Sequence, residues 1–123
     1  MRNSQVFESG LQVAHQIFDE SAIVRVSGPL QFPDAVGVTG VMKHVIEQRP
    51  PVVLLDLTDI QKVDATGVAV LVGIGGDLKN AGIQVRVIAS DPRIRHRLPY
   101  TLGLRKIFPT VREALRYQPQ QQQ

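Results

Sequence analysis

The side chains able to do chemistry are few and poorly gathered. Three histidines, His15, His44 and His96, lie far apart, and no His-Glu-x-x-His or His-x-His spacing accompanies them. Solvated or capping roles are the plain expectation for each, and no metal is expected. The absence of cysteine removes thiolate nucleophiles, disulfides and thiolate metal sites together. No Gly-x-Ser-x-Gly elbow is available to expose a nucleophilic serine. Gly73-Ile74-Gly75-Gly76 is rich in glycine, but no Lys-Ser/Thr follows it. It also falls inside a helical pattern rather than in a strand-to-helix turn, so it does not cradle phosphate. Asp56, Asp59 and Asp64 surround one strand end, where carboxylates could hold magnesium. Aspartate is first a turn and capping residue, because its side chain bonds nearby backbone N–H groups. No catalytic residue and no cofactor is assigned, and the chain reads as non-enzymatic.

The informative segment is Asp64-Ala65-Thr66-Gly67-Val68-Ala69-Val70-Leu71-Val72-Gly73, where a loop turns into a helix. A helix start carries free N–H groups and partial positive charge, which Asp64 or Thr66 can satisfy. Behind it the helix is apolar nearly all round from Val68 to Ile74, then small at Gly75 and Gly76. A helix lying on a sheet needs only one apolar stripe. Each interior glycine costs about 1 kcal/mol relative to alanine. A second apolar or small face kept at that cost indicates close approach by another backbone. The neighbour is either a crowded element of the same domain or a partner protein. In the partner reading, Val70 and Ile74 face outward.

The elements that must position this segment form one domain, residues 1–117, followed by a Gln-rich disordered tail, 118–123. A chain of 123 residues, 43% hydrophobic and 20% charged, has an ordinary globular composition. The net charge of +3 is too small to argue for nucleic acid, and 5% aromatics without tryptophan supply poor base-stacking platforms. The longest apolar run, Val68 to Ile74, is far short of the roughly 20 residues that cross a bilayer. No apolar signal segment follows Met1, so a cytoplasmic location is expected. The N-terminal segment is an edge strand, joined through Asp19-Glu20-Ser21 to a strand over Ser21 to Leu30 that Gly28-Pro29 ends. Pro33 and Asp34 suit the first turn of a helix running to about Glu47. Val52 to Leu55, continuously apolar, predicts a strand covered on both faces, hence a βαβ unit. Asp59 to Val63 is a short connection, and the second helix spans about Thr66 to Asn80, with Gly82 just past its end. Ile83 to Ala89 alternates as a strand, and Ser90 or Asp91 caps a short helix begun by Pro92, disturbed by Pro99 and closed by Leu102-Gly103. Leu104 to Phe108 reads as a last strand, and Thr110-Val111-Arg112-Glu113 is a capping box opening a final helix. The fold class is α/β: a small, mixed, largely parallel sheet of four to five strands with about four helices.

Over residues 10 to 117 the order of elements and several landmarks resemble the STAS domain of bacterial anti-sigma-factor antagonists. Gly28-Pro29-Leu30 lies where that family has Gly-x-Leu/Ile-Asp. Val53-Leu54-Leu55-Asp56-Leu57 is similar to its central strand, and Asp64-x-Thr66-Gly67-Val68 to its Asp-Ser-Ser/Thr-Gly-Leu turn. Thr101-Leu102-Gly103-Leu104 and Glu113-Ala114-Leu115 are similar to its closing segments. The resemblance implies partner switching: the antagonist binds an anti-sigma factor, often a GHKL-type serine kinase, and so releases a sigma factor for transcription. Phosphorylation of the turn breaks that complex. Gln31, Asp64, Ala65, Thr66, Gly67, Val70 and Ile74 are the partner-binding candidates. Two departures bear on regulation. The residue directly after the turn Asp, usually a phosphorylated Ser, is Ala65, leaving Thr66 as the only hydroxyl; and the Asp of Gly-x-Leu-Asp is Gln31. Binding without a switch at this turn is therefore the favoured expectation. The alternative is a STAS scaffold subunit of a stressosome-like or transporter complex. Homodimerisation is left open by the sequence.

Overall fold

The computed structural model describes residues 2–18, 20–98, 102 and 107–117. Strand β1 (Arg2–Val6) and β2 (Gln12–Ile17) form an antiparallel hairpin, and β2 pairs antiparallel with the ten-residue β3 (Ser21–Leu30). Helix α1 (Val36–Glu47) leads to β4 (Val52–Asp56), and α2 (Ala65–Asn80) leads to β6 (Gln84–Ile88). Both strands run parallel to their neighbours, completing the expected βαβ pattern. Helix α3 (Pro92–Arg95), β7 (Ile107–Phe108) and α4 (Val111–Arg116) follow. The sheet order is β1-β2-β3-β4-β6-β7, with β5 (Ile60–Val63) paired to β3 off this path.

Among the described residues, seven strands replace the four to five expected from sequence. Two carry the difference. Strand β1, Arg-Asn-Ser-Gln-Val, has no apolar alternation because it is an exposed edge. Strand β5, expected as a connection, pairs with the far half of β3. That pairing also corrects the expected end of β3. Gly28 and Pro29 do not stop the strand; they form an irregularity at which β3 leaves β4 and continues with β5 to Leu30. Gly28 has φ +86°, and a Cβ there would lie 2.7 Å from the Gly10 carbonyl oxygen, so glycine is required. Helix α1 starts later than Pro33. Phe32 to Ala35 is a turn, and the Asp34 carboxylate accepts the Ser9 N–H (3.0 Å) instead of capping α1.

Helices α1 and α2 cover one face of the sheet. Val38, Met42 and Val45 from α1 meet Leu71, Ile74 and Leu78 from α2 over Val24, Val53, Leu55 and Val87. Alternate residues of β4 and β6, Leu54 and Ile88, turn to the other face and pack on Ala114 of α4. Strand β4 is thus buried on both sides, as its unbroken apolar run requires. The caps follow the sequence. Asp91 caps α3 with Pro92 at its first position, and the Thr110 hydroxyl accepts the Glu113 N–H at the start of α4. At the end of α2, Ile83 N–H reaches Leu78 O (2.9 Å) and Gly82 N–H reaches Lys79 O (3.0 Å), with Gly82 at φ +72°; this is the Schellman closure the glycine predicts. Beneath α4 the buried Arg86 donates Nη1–H to Ala114 O (2.7 Å), and its guanidinium lies 5.4 Å from the Tyr117 ring centre. The expected features at Pro99, Gly103 and Leu104, and the tail from 118 to 123, lie outside the described residues.

Candidate functional site

The three aspartates around the β4 end separate into distinct structural duties. Asp56 is buried, accepts Arg25 Nε–H at 3.1 Å, and closes a tight turn by accepting both the N–H (3.0 Å) and the hydroxyl (2.6 Å) of Thr58. Removing it strands those donors, and charged hydrogen bonds contribute about 1.5–3 kcal/mol each. Asp56→Ala is therefore expected to destabilise the domain by about 2–3 kcal/mol in urea titration. Asp59 is exposed. Among the described residues no three His, Cys, Asp or Glu side chains converge to hold a metal ion.

Asp64 sits at the start of α2 in extended conformation. One carboxylate oxygen accepts Gly67 N–H (2.8 Å) and the other accepts Phe32 N–H (3.0 Å). A single side chain thus caps α2 and ties to it the turn after β3. These N–H donors, Phe32 first and Gly67 second, hold the Asp64 carboxyl below the ordinary carboxylate range. The sign follows from linkage. A lowered native pKa adds stability that is complete above about pH 4 and is lost as pH falls through the native value. Asp64→Asn is expected to flatten the acid limb of a stability-versus-pH curve. An unchanged acid limb would show that the clip carries no proton linkage.

The remaining candidates fall on two sides of α2. Ala65 is exposed, and Gln31 and Thr66 are half-buried. Gly67 is buried, and a Cβ there would collide with the Leu30 carbonyl oxygen and touch Val63 Cγ1 at 3.0 Å. Its smallness serves an approach within the domain, not a partner. Ile74 is 1% exposed and belongs to the core, and Val70 is half-buried against it. The expectation that Val70 and Ile74 face outward is corrected. Both lie on the sheet-facing side with Leu71 and Leu78, because the helix is buried along that stripe. The outward stripe is Ala65, Ala69, Val72 and Gly73, with Val72 41% exposed. Among the described residues a Cβ built on Gly73 or Gly76 meets nothing within 4 Å, so no packing among them requires either glycine. Gly73→Ala is accordingly expected to raise stability by about 0.5–1 kcal/mol, read as a higher urea midpoint. Sequence reasoning missed Ala69, Val72 and Gly73 because every residue around this stretch is apolar or small. Phe32 (70% exposed), held to the start of α2 through its N–H, and Val36 (55% exposed), one turn later in the chain, add large apolar area.

The STAS domain family matches residues 12–114. The chain belongs to the STAS domain family. Among solved structures, this STAS domain is similar to an anti-sigma factor antagonist from Mycobacterium paratuberculosis, with 23% identity and a TM-score of 0.72 over 90% of this chain and 96% of that one. It is similar to the anti-sigma factor antagonist SpoIIAA in its unphosphorylated form, with 14% identity and a TM-score of 0.65 over 85% of this chain and 93% of that one. It is similar as well to the STAS domain of a SulP transporter from Vibrio cholerae, with 24% identity and a TM-score of 0.65 over 81% of each chain. These likenesses show the fold. No curated protein matches the sequence. Among the described residues of this STAS domain, no helix is long and apolar enough to cross a membrane.

Proposed function

We propose that this STAS domain is a cytoplasmic anti-sigma-factor antagonist, a protein-binding regulator rather than an enzyme. In this reading it captures an anti-sigma factor of the GHKL kinase type on the outward face of α2 and the turn at Phe32, and so frees a sigma factor. The observation that carries the reading is the exposed stripe of Ala65, Ala69, Val72 and Gly73 beside Phe32. Monomeric proteins leave few large contiguous apolar patches, and those they leave mark interaction sites. The small residues let a partner backbone come close, and the aromatic ring supplies an anchor of the kind that dominates interface energetics. Asp64 acts as a positioning residue, since its clip holds Phe32 and α2 in one arrangement.

The exposed position directly after Asp64 is Ala65, which has no hydroxyl, and the half-buried Thr66 follows it. This supports an antagonist that binds without being switched at this turn. Incubation with the partner kinase and ATP is expected to leave residues 64–67 unmodified by mass spectrometry. Phosphate on Thr66 would contradict the unswitched reading.

The experiment that tests the function is affinity capture from the native cytoplasm, followed by mass spectrometry. Wild type is expected to retain an anti-sigma factor, and Val72→Asp to lose it. Recovery of a transporter polypeptide or of a stressosome-like assembly instead would replace the antagonist role with a scaffold role.

A further inference from the structure

The hairpin of β1 and β2 rests on α1 through a contact unrelated to the α2 surface. His15 of β2 is 8% exposed, and its ring lies edge-on to that of His44 on α1, with centroids 5.7 Å apart and planes at 63°. Asn3, opposite His15 in β1, places its amide Nδ2 3.3 Å from His15 Nε2. An open cleft of about 130 Å³, lined by Asn3, Val13, His15 and Val41, lies on the ring's side of the sheet, so solvent protons reach it. At the other end of the same interface Phe7 covers Gly37, and Asp34 accepts the Ser9 N–H.

We propose that the His15–His44 contact is a proton-sensitive latch, closed while the His15 ring is neutral and opened when that ring is protonated, which frees the edge of the hairpin from α1. From β1 His15 meets the neutral Asn3 amide, and from β3 it pairs in register with Val24. Arg25, in register with Ala14, lies on the opposite face of the sheet, and its guanidinium pairs with Asp56. On α1, Lys43 and Glu47 are exposed, and among the described residues no ion pair reaches either histidine ring. A charge on the buried His15 ring is poorly solvated and faces the His44 ring, and among the described residues no carboxylate pairs with it. Burial, and then the neighbouring His44, hold the His15 imidazolium below the ordinary histidine range. The sign is therefore fixed. Above about pH 6.5 the latch is at full strength, and it weakens as pH falls, because the opened form takes up the proton that the closed form resists.

Hydrogen exchange of the β1 amides, corrected for intrinsic rates, tests this in the intact chain. Between pH 7.5 and pH 5 the protection of Asn3 to Val6 is expected to fall by about tenfold. His44→Gln, a change at an exposed position, is expected to reduce that fall measurably while the part that comes from burial of His15 persists, and His96→Gln to leave it unchanged. His15→Gln is the complementary variant, and if it folds poorly His44→Gln still decides. A fall of equal size in wild type and His44→Gln, or full β1 protection in wild type at pH 5, would overturn the latch.

Discussion

Val72→Asp is expected to abolish capture of the proposed protein partner while the domain unfolds at its wild-type temperature. The side chain of Val72 is 41% exposed on the outward stripe of α2, so in the free domain a carboxylate there stays hydrated. Surface substitutions of this kind shift stability by no more than about 0.5 kcal/mol. In the complex the same carboxylate would be desolvated against an apolar partner surface. A loss of at least 100-fold in affinity, about 2.7 kcal/mol, is the expected scale for a central position. Ile74→Asp provides the opposite control. That side chain is 1% exposed among Leu71, Leu78 and Val38, and an unpaired charge there is expected to prevent cooperative folding. Isothermal titration with the captured partner, beside thermal melts of both variants, separates the two effects. If Val72→Asp binds at wild-type strength, the α2 face is not the docking surface.

Gly67→Ala is expected to destabilise the domain, although it replaces a helical glycine with the best helix former. Propensity alone would favour the change by about 1 kcal/mol. The new methyl group would strike the Leu30 carbonyl, which is backbone and cannot rotate away, and would crowd Val63. Overpacking of this kind costs about 1–3 kcal/mol, more where the obstacle is rigid. A net loss of about 2 kcal/mol corresponds to a melting temperature lower by roughly 8 °C for a domain of this size. Together with Gly73→Ala, which is expected to stabilise, it shows that two glycines of one helix serve opposite ends. One admits the domain's own strand end, and the other leaves its outward surface low. A neutral or stabilising Gly67→Ala would mean that β3 retreats from α2 without penalty.

Much of the scaffold was legible because local chemistry and tertiary role agreed. Val52 to Leu55 had to be buried on both faces, Gly82 had to end a helix, and Thr110 with Glu113 had to begin one. The misreadings occurred where they diverged. Strand β1 has no apolar pattern because Asn3 to Val6 are exposed, and it is extended by its pairing to β2. Strand β5 is four residues long and is defined by a partner more than thirty positions earlier. The candidate site was found in the right segment but turned the wrong way. In an amphipathic helix polar residues label the solvent side, whereas from Val68 to Gly76 there are none, so Ile74 and Val72 could not be told apart. The clip through Asp64 was half legible: its capping of Gly67 is local, but its bond to Phe32 spans 32 positions and follows only from the fold.

The guanidinium enclosed under α4 bears on how the molecule is made. Arg86 sits in a central strand, yet its acceptor, the Ala114 carbonyl, is 28 residues further along, and Leu54 and Ile88 wait for the same helix. On the ribosome the sheet face carrying them stays wet until the final helix has left the exit tunnel. Until then a nascent chain with both βαβ units in place displays aliphatic residues beside an unneutralised cation. Completion of this face therefore waits on α4, the last of its elements to be made, and the interval before it docks is when a chaperone would have the most to hold.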